Sequence, residues 1–347
     1  MNFYYIFVIL FLFTYFINFL LLKNNLFLDS KKNSIHKNFV QNREKVSYAG
    51  GLIVLSGCVL FWNEGSILFK TFLILIFILG LLSDRGLLES PIKRFFLQSI
   101  VIFIFLYIFD IRISPYRLLF LDFLLEEKIM NLIFTTFCIL IVVNGSNFMD
   151  GLNTLTIGYF LLILFSLLYI FFNNEIIFPN YDLITITIIS AIVVFLYNII
   201  GKIYLGDNGA YLIAFIVSFV LIEFSFKNYV VSPFYIANLL WYPAFENFFS
   251  IIRKVIQKKS PMSPDNLHLH QLLFSYFKKK RNLSKNFVNT FTGLVINFFN
   301  LIIFVFATIY YYNTKIQILT ILVSIFIYCL FYFILNKESV RVRKKKF

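Results

Sequence analysis

Charged residues are scarce in this sequence, at 14% of the 347 residues, whereas a soluble domain has about a quarter. Hydrophobic residues make up 60% of the chain and the mean hydropathy is +0.84. No repeat of roughly 20 to 50 residues is visible, which excludes a leucine-rich solenoid. No polar linker is long enough to hold a second, soluble domain. These absences and the excess of hydrophobic residues predict a polytopic membrane protein.

Cysteine is also rare, since the chain has only Cys58, Cys138 and Cys329. Each of them lies within an apolar run, and none has the spacing of a metal site or a disulfide framework. We interpret the three cysteines as small hydrophobic residues that face the core or the lipid.

Long apolar runs are abundant. They predict an all-α fold, a polytopic membrane helix bundle of about 11 transmembrane helices, since a perpendicular span needs roughly 20 residues. Several runs are shorter, and these are expected to borrow flanking residues or to thin the bilayer locally. The first run has no basic leader and no small-residue cleavage site, so it is expected to remain uncleaved. The runs cover residues 3–22, 48–62, 67–82, 95–109, 129–143, 155–172, 183–200, 209–224, 233–252, 288–310 and 316–335.

Lysine and arginine are distributed unevenly between alternate loops. Most of the 31 lie in one set of loops, which the positive-inside rule assigns to the cytoplasm. The N-terminus is then predicted outside and the C-terminus inside. The net charge of +14 follows from this topology and from anionic lipid headgroups, and it does not indicate a nucleic-acid partner. The cytoplasmic set comprises residues 23–47, 83–94, 144–155, 201–208, 253–287 and the tail after residue 335.

Three aspartates stand out on this predicted cytoplasmic side. Asp84 and Asp207 lie at the edges of apolar runs, and Asp150 lies in a polar segment, residues 144–155, between two such runs. Taken singly, each aspartate is explained as an ordinary loop residue or as the cap of the next helix. Together, and ringed by lysines and arginines, they suit a divalent metal ion bound to a phosphorylated substrate.

The order of the polar motifs resembles that of the polyprenyl-phosphate N-acetylhexosamine-1-phosphate transferases, glycosyltransferase family 4. The resemblance implies a single integral-membrane transferase domain over residues 1–347, with the motifs in 29–275 and two extra C-terminal spans in 288–335. The motifs that carry it are Asp84, Asn147-Phe-Met-Asp-Gly-Leu152, Gly206-Asp-Asn-Gly209 and Pro264-Asp-Asn-Leu-His-Leu-His270.

This family resemblance implies an activity and its partners. Such enzymes transfer a sugar 1-phosphate from a UDP-sugar to undecaprenyl phosphate, release UMP, and use Mg²⁺ or Mn²⁺. The expected place is the bacterial inner (plasma) membrane, with membrane lipids around the chain and the active site on the cytoplasmic face. The expected role is to initiate synthesis of a cell-surface polysaccharide, such as the O-antigen of lipopolysaccharide or a cell-wall polymer. The resemblance leaves open whether the protein forms a homodimer.

The same resemblance implies roles for individual residues. Asp207 is expected to bind the metal, and Lys93 to bind a phosphate. The expected catalytic residues are Asp84, Asp150, Asp207 and Lys93. The expected substrate-binding residues are Asn147, Gly151, Leu152, Asn153, Asn198, Tyr204, Arg253, His268 and His270.

The chain also departs from the family pattern. Ser83 stands where the family has the first of two paired aspartates, Asn153-Thr154 replaces Asp-Gly, Gln271 replaces a third histidine, and Ala210 replaces a serine. The missing carboxylate at position 83 supports one alternative, a catalytically silent relative in a polysaccharide assembly complex. A secondary transporter is another alternative, for which broken helices near the bilayer midplane are expected. The His-Leu-His form argues against a MurNAc-pentapeptide substrate, and the sugar itself is not readable.

Overall fold

The structure is a computed structural model that describes residues 3–28, 45–113, 115–173, 176–260, 267–280 and 283–344, with residues 280 and 338–344 described by their backbone alone. The described residues form fourteen helices and no strand. The helices are α1 Phe3–Lys23, α2 Gly50–Phe61, α3 Ile67–Asp84, α4 Pro91–Ile108, α5 Leu119–Glu126, α6 Lys128–Met149, α7 Leu155–Asn173, α8 Tyr181–Ile199, α9 Gly206–Lys227, α10 Pro233–Leu239, α11 Trp241–Ile256, α12 Leu269–Lys280, α13 Lys285–Ile309 and α14 Thr314–Lys344.

The predicted fold class, an all-α polytopic membrane bundle, is confirmed. Nine helices within the described ranges are long and apolar enough to cross a membrane. The run at 48–62 forms only the 12-residue helix α2, which is too short to span a bilayer at right angles. The predicted orientation, with the N-terminus outside and the C-terminus in the cytoplasm, stays a prediction.

Helix α9 is the centre of the bundle. In its most apolar 18-residue window 89% of the residues are buried, against 17% for α1. Two glycines let neighbouring helices approach its first turn. A Cβ on Gly80 of α3 would lie 2.4 Å from the Cα of Asn208, and one on Gly51 of α2 would lie 2.5 Å from the backbone nitrogen of Gly209. Both distances are too short for a side chain, so α2 and α3 hold the start of α9 backbone to backbone.

The prediction of a single helical span at 233–252 is wrong, because the helix is interrupted between α10 and α11. Pro243 explains the break, since it has no N–H with which to continue the hydrogen-bond ladder of α10. The backbone N–H of Leu240 instead caps α10 by donating to Ala237. At the break, the Trp241 indole nitrogen donates to Asn300 Oδ1 of α13 at 3.0 Å, which fixes the start of α11.

Helix α11 has an apolar face and a polar face. Ile252 and Ile256 on the apolar face are 55% and 76% exposed, which suits contact with lipid. The polar face carries Glu246, Ser250 and Arg253, all of them buried against the rest of the protein. The helix therefore carries ionisable groups inward, towards the ends of α6 and α12.

Candidate active site

Helix ends that carry the polar motifs meet at one end of the bundle. The C-terminal ends of α3, α6 and α8 contribute Asp84, Asn147 and Asn198, and the N-terminal turn of α9 contributes Asp207. Hydrogen bonds connect each of these side chains to a neighbouring element. The motifs expected to act together are therefore brought together by the fold.

The Asp84 carboxylate caps helix α9 from the neighbouring helix. Its Oδ1 accepts the backbone N–H of Asp207 at 3.0 Å. Its Oδ2 accepts the backbone N–H of Asn208 at 3.0 Å and the side-chain amide of Asn208 at 2.6 Å. Leu205, the N-cap residue of α9, has no polar side chain, so Asp84 replaces the missing cap at the positive end of the helix dipole. Asp84 thus orients the turn that carries Asp207.

We expect Asp84→Ala to lower the stability of the protein as well as its activity. Three hydrogen bonds at the first turn of α9 would be lost, which costs about 1–2 kcal/mol on the scale of helix caps. Thermal unfolding in detergent measures this loss. Asp122→Ala is the matched control, since Asp122 also accepts a backbone N–H, that of Tyr116, but away from this cluster. An Asp84→Ala protein with wild-type stability would contradict the capping role.

Asp207 forms a small polar cluster with Ser83 and Arg94. The Ser83 hydroxyl donates to Asp207 Oδ2 at 2.6 Å, and Arg94 Nη1 donates to Ser83 Oγ at 2.7 Å. The same Nη1 lies 3.6 Å from Asp207 Oδ2. The side chains of Arg94 and Asp207 are 24% and 11% exposed, so the ion pair is only partly open to solvent.

Arg94, rather than the predicted Lys93, is the cation at this cluster. The Lys93 side chain is exposed in the first turn of α4. Helix geometry explains the difference, because Arg94 shares a face with the buried Gln98 four residues later, whereas Lys93 points elsewhere. The phosphate-binding role predicted for Lys93 stays a prediction without a contact in this cluster.

Asn147 and Tyr211 extend the cluster towards α6. The Asn147 side-chain amide donates to the Tyr211 hydroxyl at 2.7 Å. One turn earlier, the Asn144 amide donates to Gln98 Oε1 at 3.4 Å, which links α6 to α4. A continuous set of polar side chains therefore connects Asp207 with the end of α6.

Two of the predicted substrate-binding residues near Asp150 make hydrogen bonds that connect neighbouring segments. Asn198 Oδ1 accepts the backbone N–H of Thr154 at 2.5 Å, and its amide donates to the Ile203 carbonyl at 2.8 Å. Asn153 donates its backbone N–H to Asn289 Oδ1 of α13 at 2.6 Å. The C-terminal helix α13, expected as an extra span, thus supports the polar segment directly.

Other predicted residues of this pocket differ in their exposure. Leu152, Asn153 and Asn198 are buried, whereas Asp150, Gly151 and Tyr204 are partly exposed. The Tyr204 backbone is held by Ser47, whose carbonyl accepts its N–H at 2.8 Å. Substrate contacts by these six residues stay predictions.

Glu246 organises the two histidines and was missed by the sequence analysis. The His268 Nδ1 lies 2.9 Å from Glu246 Oε2, and the His270 Nδ1 lies 3.7 Å from Glu246 Oε1. The Tyr242 hydroxyl donates to the same Oε1 at 3.3 Å. Burial raises the pKa of Glu246, but the neighbouring His268 and His270 outweigh burial and hold that pKa below its usual range. The signal available in the sequence was a carboxylate within an apolar run.

The histidine segment, residues 267–270, packs directly against the predicted site. The rings of Phe148 and His268 stack with centroids 5.2 Å apart. A Cβ on Gly151 would lie only 3.3 Å from His270 Nε2, so this ring lies beside the Asp150-Gly151 turn. The first three residues of this motif, Pro264 to Asn266, lie outside the described residues.

Arg253 holds the start of the histidine segment. Its Nη1 donates to the Leu267 carbonyl at 2.6 Å and to the Tyr332 hydroxyl of α14 at 3.4 Å. The guanidinium also lies over the rings of Phe249 and Tyr332. Arg253 is 7% exposed, so the contacts observed are structural, and its predicted substrate contact stays a prediction.

The donor atoms near Asp207 fit a magnesium ion only as a shared site. Among the described residues, no three His, Cys, Asp or Glu side chains are grouped as metal ligands. Mg²⁺ needs fewer protein ligands, because it binds one or two carboxylates and takes the rest from substrate phosphates and water. Asp207 offers a carboxylate and Ser83 a hydroxyl, both hard oxygen donors. The set fits Mg²⁺ if a phosphorylated ligand completes the coordination.

Comparison with known proteins finds a family similarity in one segment of the chain. The sequence profile of glycosyl transferase family 4 matches residues 66–225, which supports assignment of this segment to that family. The chain is also 24% identical, over 205 residues, to a probable undecaprenyl-phosphate N-acetylglucosaminyl 1-phosphate transferase of Bacillus subtilis (strain 168). That match covers 58% of this chain and 56% of the relative, so it spans little more than half of the relative's length.

The family match covers one part of the site. It includes Asp84, Arg94, Asp150 and Asp207, on helices α3 to α9. It ends before α11, so Glu246 and both histidines lie outside the matched segment. His270 lies beside Gly151, so Glu246 and the histidines join the matched segment, residues 66–225, here called the family 4 core.

Proposed function

We propose that this chain transfers a sugar 1-phosphate, of the N-acetylhexosamine type, from a UDP-sugar to undecaprenyl phosphate and releases UMP. The supporting observation is the convergence of the family 4 core with the histidine segment. Asp207 and Arg94 lie at the start of α9 and α4, and His268 and His270 pack against Phe148 and Gly151 at the end of α6. A site at this end can admit a lipid phosphate from the membrane and a nucleotide-sugar from water.

The reaction replaces one phosphoanhydride bond with another. An oxygen of the lipid phosphate attacks the phosphorus that carries the sugar, and the bond from this phosphorus to the UMP oxygen breaks. A phosphate monoester has its second pKa near 6, so the lipid phosphate is largely dianionic at neutral pH and needs no protein base. A serine instead of an aspartate at position 83 is therefore compatible with catalysis. Positioning and charge neutralisation carry most of the work in phosphoryl transfer.

Each charged group has a role in this mechanism. A magnesium ion held by Asp207 would neutralise charge on the diphosphate. Arg94 can bind phosphate oxygens with its planar guanidinium. His268 and His270 would close over the diphosphate beside Asp150, and Glu246, 2.9 Å from His268 Nδ1 and 3.7 Å from His270 Nδ1, would orient them. Asp84 acts indirectly, by holding the helix turn that carries Asp207.

The proposed role is the first membrane step in making a cell-surface polysaccharide, on the cytoplasmic face of the bacterial plasma membrane. Purified protein in detergent, given undecaprenyl phosphate, Mg²⁺ and a panel of UDP-N-acetylhexosamines, should release UMP in equal amount to a lipid-linked sugar diphosphate. Omission of the lipid should stop UMP release. If no sugar of the panel supports release, the catalytically silent relative becomes the better description.

A further inference from the structure

The Asp207 carboxylate oxygen that faces Ser83 is shared with a cation. Oδ2 accepts the Ser83 hydroxyl at 2.6 Å and lies 3.6 Å from Arg94 Nη1. Arg94 is itself anchored, because the same Nη1 donates to Ser83 Oγ at 2.7 Å. Two groups therefore meet at one oxygen of Asp207, and one of them carries a full positive charge.

A divalent cation and a guanidinium cannot both be held closely by the same carboxylate oxygen without repulsion. Because Arg94 and Asp207 are 24% and 11% exposed, solvent and salt screen this repulsion only in part. A neutral hydroxyl at position 83 accepts one hydrogen bond from Arg94 but does not cancel its charge. A carboxylate there could bind the guanidinium through two oxygens and draw it away from Asp207.

We infer that Arg94 and Ser83 set the affinity of Asp207 for a divalent cation. Arg94 competes with the cation for Oδ2, and the serine leaves this competition in place. The inference rests on the proposed function, since it takes Asp207 as the residue that holds the metal. It assigns a role to Arg94 in the protein without substrate, before any phosphate is bound.

Titration with Mn²⁺ alone tests this competition. The full chain in detergent is titrated, and free Mn²⁺ is measured by its electron paramagnetic resonance signal. Arg94→Gln is expected to tighten Mn²⁺ binding by about tenfold, because it removes a charge beside the ligand. Asp207→Asn, added to Arg94→Gln, should remove this binding. Unchanged or weaker binding by Arg94→Gln would overturn the inference.

Ser83→Asp supplies a second test that keeps Arg94 in place. It should also tighten Mn²⁺ binding. The double variant should gain less Mn²⁺ affinity than the sum of the two single gains, since both changes act on one competitor. Fully additive gains would overturn the role of Ser83. If Arg94→Gln fails to fold, unchanged or weaker Mn²⁺ binding by Ser83→Asp overturns the inference.

A charge-matched control separates local competition from the general field. Arg85→Gln removes the same charge one residue after Asp84, but the Arg85 guanidinium lies over the Phe27 ring, 5.2 Å from its centroid. Its Mn²⁺ affinity should stay within about twofold of wild type, because exposed charges are screened. Equal gains in Arg85→Gln and Arg94→Gln would overturn the inference. If no variant binds Mn²⁺, even with UDP present, the metal site in the proposed function fails too.

Discussion

Asp207→Asn is expected to abolish sugar-phosphate transfer, with kcat at least about a thousandfold lower, the scale of several kcal/mol of lost charge stabilisation. Asparagine has nearly the same shape as aspartate, and its amide oxygen can still accept the Ser83 hydroxyl. The change removes the negative charge, which is the property needed to hold a cation. It leaves the capping of α9 by Asp84 intact, since that cap uses the backbone N–H of Asp207.

The measurement is UMP release at saturating and at limiting Mg²⁺, with protein amount and thermal stability determined alongside. Asp110→Asn is the matched control. Asp110 follows α4 at its other end and is paired with Arg112 and Lys128, whose hydrogen bonds lower its pKa. This control should retain wild-type turnover. Wild-type turnover by Asp207→Asn at limiting Mg²⁺ would remove Asp207 from the metal site.

The membrane fold could be predicted because apolar runs dominate the sequence, but the runs at 48–62 and 233–252 do not form full-length spans. Hydropathy alone does not distinguish a continuous span from two short helices. In the run at 233–252, Pro243 and Glu246 were the available signals. A proline that cannot continue the ladder and a carboxylate among apolar residues both argue against a simple lipid-exposed helix. In the structure, Pro243 accompanies the interruption between α10 and α11, and Glu246 contacts the histidines.

The choice between Lys93 and Arg94 was also within reach of the sequence. Side chains four residues apart share a helix face, so the buried Gln98 selects Arg94 as the residue that faces inward. The family resemblance pointed to Lys93, which lies on another face of α4. Its phosphate-binding role stays a prediction.

Contacts from α13 to the polar segment could not be predicted with the same ease. Asn289 and Asn297 bond to the backbone of Asn153 and Thr154 across more than a hundred residues of sequence. Buried asparagines at positions eight apart on one helix indicate a polar face, but not its partner. Only the packing of α13 against α7 shows which backbone groups these amides satisfy.

Glu246→Gln is expected to lower kcat/KM by about a hundredfold, by loss of the orientation of the histidines rather than by loss of a substrate contact. The carboxylate offers acceptors to both rings, at 2.9 Å to His268 Nδ1 and 3.7 Å to His270 Nδ1. An amide keeps one acceptor and presents a donor in place of the other. One ring must then change its tautomer or turn away.

The low pKa of Glu246 makes this effect independent of pH near neutrality. A carboxyl whose folded pKa lies below its unfolded value of about 4.3 stays ionised above that value, and its stabilisation is lost only as pH falls through the folded pKa in acid. Between pH 6 and 9 (about this range lies well above the carboxyl pKa), the Gln variant should therefore be impaired to a similar extent. A deficit confined to one end of this range would assign the titrating role to another group.

Two further measurements separate this positioning role from general destabilisation. Glu246→Asp keeps a carboxylate and should recover part of the activity, whereas Glu89→Gln, at an exposed glutamate, should leave kcat/KM unchanged. Carbethoxylation of His268 and His270, located by peptide mass spectrometry, should be faster in Glu246→Gln, because the rings lose their buried partner. Equal modification rates in the wild type and the Gln variant, together with full activity, would mean that the packing of Phe148 and Arg253 holds the histidine segment without Glu246.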